Sequence, residues 1–194
     1  QIIAHSSNVG MIKIAQKVGQ TPLYTFSRDF GFGSQTGLRF PGESRGKLRK
    51  TNEWSDMSIA TLSIGYEVAV TALQLASAYA AIANGGIIIK PRLINQILSP
   101  NEKVVYTEKP EIIRKVANAD VIQTVKNMLV EVVDYGTGEK AKIEGWSIAG
   151  KTGTAYKFID GSYSNKFVSN FVGFFPSEKP QIIGVIILDE PTAG

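Results

Sequence analysis

The last third of the chain restricts its fold more than any other part. Within residues 146–190, WSIAGKTGTAYKF, KFVSNFVGFFP and QIIGVIILDE read as three successive strands. The segments between them, FIDGSYSN and PSEKP, are short and rich in turn formers, so sequential antiparallel pairing is the simplest topology.

Upstream the pattern is mostly helical. After HSSN, the run VGMIKIAQKVG places Val9, Ile12, Ala15 and Val18 at spacings of three, one face of a short helix opened by a Ser/Asn cap and closed by Gly19. Thr21-Pro22 reads as a cap followed by proline at the first helical position, starting a second helix that ends near Gly31. Residues 31–56 are rich in Gly, Ser, Pro and charge and read as a long irregular surface excursion. TALQLASAYAAIAN, residues 71–84, reads as a core helix with Leu75, Ala76, Tyr79, Ala80 and Ala83 on one face and Gly85-Gly86 as its stop. GIIIKPRLINQIL and KVVYTE, separated by SPNEK, read as a hairpin. A second long helix follows an Asn118 cap, buries Ile122, Val125, Met128, Leu129, Val132 and Val133, and stops at Gly136-Thr-Gly138. The expected fold class is α+β, helices first and an antiparallel sheet last, in one domain over residues 1–194.

Composition excludes several function classes. The 194 residues are 43% apolar and 20% charged, ordinary values for a globular domain. A net charge of +4 with one dense basic cluster, RGKLRK at 45–50, lacks the interleaved aromatics that stack bases, so no nucleic-acid partner is expected. With no cysteine and a single His5, neither a thiolate site nor a histidine cluster can form; no metal and no cofactor is expected. No apolar run approaches the ~20 residues that span a bilayer, and the N-terminus has no signal-peptide pattern. The chain begins without an initiator Met and is expected to be a piece of something longer.

GWSIAGKTGTA, residues 145–155, satisfies two motifs at once: the phosphate loop G-x-x-x-x-G-K-[ST] through Gly145, Gly150, Lys151 and Thr152, and the K-T-G triplet of penicillin-recognising serine acyltransferases. VIILDEPTAG at 185–194 adds a strand ending in Asp-Glu, like a Walker B segment, with letters resembling those of transporter ATPases. A phosphate loop requires a buried strand before its first Gly and a helix opening at its Lys-Thr, so that N–H groups converge on the phosphates. Here EKAKIE precedes, and Gly153-Thr-Ala-Tyr156 leads to the turn Asp160-Gly161 instead of a helix. Trp146 and Ile148 are bulky where phosphate approach favours small residues, and the gap to Asp189 of about 40 residues is too short for a wound nucleotide domain. A nucleotide site is therefore not expected.

As an antiparallel strand, the same stretch points Lys151 and Gly153 to one face and Thr152 and Thr154 to the other. Gly153 removes a side chain where a substrate backbone could lie. A cationic ammonium, two hydroxyls and open backbone N–H groups suit an anionic, peptide-like ligand. Ser6-Ser7-Asn8 supplies the S-x-N triplet that accompanies K-T-G in such enzymes, in the right order; taken alone it is also an ordinary helix cap.

On these residues the chain resembles the transpeptidase domain of class B penicillin-binding proteins of the division type. The likeness covers HSSNVGM, LYTFSRDFGFGSQTGLRFPGES, SIGYEVAVTALQLASAYAAIANGG, YGTGEKAKIEGWSIAGKTGTA and FVGFFPSEKP with IILDEP, essentially the whole length. It implies an enzyme that cross-links peptidoglycan: a serine attacks the penultimate D-Ala carbonyl of a pentapeptide stem, D-Ala leaves, and a second stem's amine takes the acyl group. β-Lactams would bind as acyl-donor mimics. Ser6 would help relay the proton to the leaving group, Asn8 would bind the donor amide and the active-site lysine, and Lys151 would supply positive charge. Thr152 and Thr154 hydroxyls would hold the terminal carboxylate beside Gly153, and the Thr154 N–H would be an oxyanion-hole donor, a contact whose loss typically costs ~3 kcal/mol of barrier. The resemblance also implies an extracytoplasmic site, an N-terminal membrane anchor, and partners among cell-wall synthesis and division proteins. A D,D-carboxypeptidase or β-lactamase of the same fold, and a non-catalytic partner module, are the alternative readings.

Such enzymes carry an S-x-x-K helix before the S-x-N triplet. The sole S-x-x-K string here, Ser44-Arg-Gly-Lys47, follows Pro41-Gly42, contains Gly46 and comes after SSN, so it is rejected. The nucleophilic serine is expected outside these residues, as is a closing C-terminal helix. The fragment alone is expected to be inert, with apolar surface exposed where the serine-bearing helix belongs. Two departures stand out: Glu67, where many members have Gly, and Tyr156, where Gln is common.

Overall fold

The computed structural model describes residues 1–38 and 40–192; Arg39 and the Ala193-Gly194 end of the LDEPTAG run lie outside the described residues. In chain order the elements are α1 (Asn8–Val18), α2 (Gln20–Asp29), β1 (Lys47–Leu48), α3 (Ser58–Ser63), β2 (Val68–Ala69), α4 (Ala72–Ala83), β3 (Ile87–Ile89), β4 (Gln96–Leu98), β5 (Val104–Thr107), β6 (Ile112–Lys115), α5 (Ala119–Asp134), β7 (Ala149–Ile159), β8 (Ser162–Phe175) and β9 (Ile182–Asp189). The α+β class holds, and β7-β8-β9 form one antiparallel sheet in sequential order.

The helix signals hold with instructive shifts. α1 is opened by Ser7, whose Oγ accepts the Gly10 N–H at 3.2 Å, and closed by Gly19 at φ +89°, where a side chain would be strained. α2 starts at once, so Pro22 is its third residue, not its first. That position is equally tolerant, because first-turn N–H groups have no acceptor inside the helix. The stripe proposed for α1 is mostly not buried: Ala15 is, but Val9 is 64% and Val18 47% exposed, because α1 rests on α2 and α3 along one narrow side.

In α4 the fully buried residues are Gln74, Ala78 and Ala81, while Leu75, Ala76, Tyr79, Ala80 and Ala83 are half-buried. β3, α5 and the sheet surround this helix on several sides, so no single apolar face describes it. Gln74 serves a purpose that periodicity does not reveal. Its Oε1 accepts the Thr71 N–H in a capping box, and its Nε2 donates to Ser34 O at 2.8 Å and Arg45 O at 2.9 Å. One buried amide thus fastens the irregular excursion, which begins as expected after α2, to the core helix.

The predicted hairpin is only half right. β4 and β5 pair across SPNEK, but β3 ends before Lys90-Pro91 and pairs instead with β6, a strand the sequence reading missed. Pro91 has no N–H to donate to a ladder, which breaks the long apolar run in two. In α5, Ile122, Leu129, Val132 and Val133 are buried as expected; Met128 is exposed, and Lys126 is buried in its place beside a small cavity shared with Ser147, Ser177 and Glu178.

The core lies between α4, α5 and one face of the sheet. Phe174 and Ala149, both fully buried, meet Leu129, with Tyr79, Ile82, Val125 and Ile183 around them. The strand placement also removes the phosphate-loop reading. Gly145 sits in a turn at φ +80°, Lys151-Thr152 lies inside β7, and no helix opens there. Asp189 and Glu190, the Walker-like acids, bind Lys157 at 2.6 and 2.9 Å, and Glu190 also binds Lys166 at 2.9 Å.

Replacing Gln74 by Leu keeps the volume but leaves buried carbonyls unpaired, and should destabilise the fold by about 1–3 kcal/mol in denaturant unfolding. A neutral result would show that water reaches the excursion.

Candidate active site

The site is assembled by a short clasp between residues 1–7 and the segment that follows α5. Residues 1–7 fold into successive turns, with His5 N–H donating to Gln1 O at 3.0 Å and Ser7 N–H to Ile2 O at 2.9 Å. Ala4, 1% exposed, offers its carbonyl to the Thr137 N–H at 3.0 Å. Gly136 makes this approach possible: a Cβ there would lie 2.3 Å from Ala4 O. The Gly136-Thr-Gly138 segment, read from sequence only as a helix stop, therefore also seats the SSN turn.

Within SSN the roles divide. Ser7 caps α1, as the bland reading of the triplet expects, and Ser6, at φ +52°, is free to face the sheet. Lys151 Nζ donates to Ser6 Oγ at 2.9 Å and to Thr152 O at 3.0 Å. Asn8, the first residue of α1, lines the same open cleft of about 1070 Å³ as Ser6, Thr152, Gly153 and Thr154, and has no hydrogen bond to Lys151. The hydroxyls of Thr137 and Thr152 meet at 2.8 Å across the cleft wall. Burial pushes the Lys151 ammonium below its ordinary value, because a desolvated charge is disfavoured; a lysine so placed yields a proton more easily than a free one.

The free edge of β7 supplies backbone groups. Among the described residues β7 pairs with β8 alone, and the Tyr156 N–H points away from β8 to the Tyr66 hydroxyl at 3.3 Å. Since alternate residues of an antiparallel strand turn their N–H groups the same way, those of Thr152 and Thr154 share that open side. Gly153 has a neighbour that its sequence does not announce. Its side-chain position is taken by the Asn170 amide, whose atoms would lie 2.7 Å from an added Cβ, so the glycine makes room for Asn170, and both residues line the cleft.

Beside the strand lies a polar cluster that sequence reading registered only as a departure. Glu67, at φ +59°, accepts from Thr61 Oγ1 at 2.6 Å, Ser58 Oγ at 2.8 Å and the Arg49 guanidinium. Burial alone would raise its carboxyl, but the bonds from Thr61, Ser58 and Arg49, with the Arg49 charge, hold it below the ordinary 4.5. Thr137, Tyr66 and Asn170 were likewise missed; nothing in their local spacing marks them, since each acts through a contact distant in sequence. Ser44 is correctly set aside: its Oγ accepts the Gly46 N–H at 3.2 Å in a local turn, and Lys47 belongs to β1.

These features define a class: an α+β domain in which an S-x-N turn and a K-T-G strand edge face one cleft. The description "Penicillin binding protein transpeptidase domain" matches residues 1–194. The chain is 35% identical over 194 residues to "Probable peptidoglycan D,D-transpeptidase PenA" of Neisseria gonorrhoeae, covering 99% of this chain and 32% of that protein. It is 36% identical over 200 residues to "Penicillin-binding protein PbpB" of Mycolicibacterium smegmatis, covering 98% and 31%. Penicillin-binding protein 3 of Mycobacterium tuberculosis, solved with aztreonam, superposes with a TM-score of 0.92 at 35% identity, covering 99% of this chain and 45% of that one. The chain belongs to the penicillin-binding protein transpeptidase domain family, of the class B type. It spans about a third of the length of the curated relatives it matches.

Glu67 generates a stability prediction. Its folded pKa lies below the unfolded value, so its contribution is complete above the ordinary carboxylate value and is lost as pH falls through the folded one. Thermal unfolding followed from pH 7 downward should show an acid limb that is flatter in Glu67→Gln; identical limbs would remove the carboxylate from the account.

Proposed function

We propose that these residues form part of a serine D,D-transpeptidase that cross-links peptidoglycan stem peptides on the extracytoplasmic face of the cell membrane, in the service of division. The supporting observation is the Lys151 Nζ to Ser6 Oγ bond at 2.9 Å beside the unpaired edge of β7. The acyl donor adds to that edge as an extra strand. Thr152 and Thr154 hydroxyls bind its terminal carboxylate, and Lys151 adds positive charge near it. The Thr154 N–H takes the carbonyl oxygen as the nucleophile adds, and preorganised donors aimed at developing charge are the largest source of such rate enhancement. The nucleophile is a serine from sequence outside these residues, since Ser44 is committed to a surface turn. Its proton passes by way of Ser6 and Lys151 to the departing D-Ala amine, and the acyl group stays on the serine until a second stem's amine takes it. Asn8, at the mouth of the cleft, receives the donor's amide.

β-Lactams are proposed as covalent ligands of the same edge, in line with the structures of the tuberculosis protein with aztreonam and with ampicillin. An N-terminal anchor, a closing helix and contacts with other cell-wall synthesis and division proteins belong to the full-length protein.

A full-length protein carrying this sequence should be labelled by a fluorescent penicillin, and residues 1–194 alone should not. In the full-length protein, Ser6→Ala and Lys151→Ala should slow labelling about 10²–10⁴-fold, the usual share of a proton-transfer group. Stoichiometric labelling of residues 1–194, or none of the full-length protein, would sink the assignment. Rapid hydrolysis of the adduct would favour a β-lactamase instead.

A further inference from the structure

The edge of β7 is open at Thr152 and Thr154 but closed one step later. Tyr66 meets it there: its hydroxyl accepts the Tyr156 N–H at 3.3 Å, and its ring packs edge-on against Tyr163 of β8 at 5.3 Å between centroids. Tyr66 reaches the strand from the turn after α3, and the next residue, Glu67, sits in the left-handed region at φ +59°. For a residue other than glycine that conformation is costly and persists only where surrounding contacts over-determine it. Thr61, Ser58 and Arg49 are those contacts, so the carboxylate cluster fixes the backbone from which Tyr66 extends.

We propose that Tyr66 is a specificity-determining residue that ends the ligand-accepting edge of β7 after Thr154, and that Glu67 is the positioning residue behind it. This rests on the strand-addition reading above. A peptide-like acyl donor running antiparallel to β7 pairs with Thr152 and Thr154. The residue after next on its acyl side, about 6.8 Å further along, would need the Tyr156 N–H and finds it taken. The acyl-side arm must therefore turn away from the sheet at that point, so the site accepts donors with short or bent arms and gains nothing from a longer extended one.

Tyr66→Phe in the full-length protein removes the acceptor and keeps the ring. Hydrogen exchange at the Tyr156 amide should quicken about three- to tenfold, the size expected for one net hydrogen bond. With two acyl donors differing by one extended residue on the acyl side, the wild type should show equal KM, and Tyr66→Phe should lower KM several-fold for the longer donor with kcat unchanged. Glu67→Ala should quicken Tyr156 exchange in the same direction, and Glu67→Gln, which keeps the acceptor oxygen, should restore most of the protection; these two carry the test if Tyr66→Phe does not fold. Unchanged exchange in all variants, or a donor preference indifferent to Tyr66, overturns the proposal. If the wild type forms no acyl-enzyme, the functional reading fails, and the exchange data still decide whether Tyr66 closes the edge.

Discussion

One backbone hydrogen bond, from Thr137 N–H to Ala4 O, carries much of this architecture. It joins the first turn of the chain to the segment that follows α5, and it forms only because Gly136 has no side chain to block it. Ser6 is two residues from Ala4, and Thr137 reaches Thr152 through its hydroxyl, so the same clasp sets both walls of the cleft. The bond itself is of ordinary strength. Its importance is geometric, because it places Ser6 on one wall and Thr137, with its bond to Thr152, on the other.

The sheet contributes a second constraint, an unpaired edge. An open strand edge is normally a hazard that proteins cover or shorten. Here the exposed stretch is brief: Lys151 occupies the Thr152 carbonyl, Tyr66 occupies the Tyr156 N–H, and the gap between them is what a ligand can use. The far end of the β7-β8 hairpin is held by Lys157 and Lys166 on Asp189 and Glu190, which keeps the strands in register beyond the cleft.

How much of this was legible in sequence depends on range. Strand order, the helix starts at Ser7 and Asn118, and the stop at Gly19 follow from neighbours a few residues apart, and they stand. Ser6, Asn8, Lys151, Thr152 and Thr154 were recognisable as triplets; the structure gathers Ser6, Asn8, Thr152 and Thr154 in one cleft, and Lys151 joins them through its bond to Ser6. Burial was less legible: Val9 and Val18 fit a helical stripe, yet no described element covers them, and Lys126 is buried where Met128 was expected. β6 was hidden because its partner is β3, across an excursion interrupted by Pro91. Gly153 lines the cleft as its spacing suggested, but its missing side chain makes room for Asn170, a residue of the next strand. Each failure involves a partner that local pattern cannot name.

The bond between Lys151 and Ser6 spans 145 residues of chain. The entropy of closing so long a loop grows only slowly with its length, and the Ala4 to Thr137 clasp closes nearly the same loop, so the two contacts share that cost. The cleft therefore rests on non-local packing and not on the neighbours of either triplet. A lysine and a serine that are ordinary apart become a pair only through the fold between them, so whatever loosens the Ala4 to Thr137 clasp loosens the pair with it.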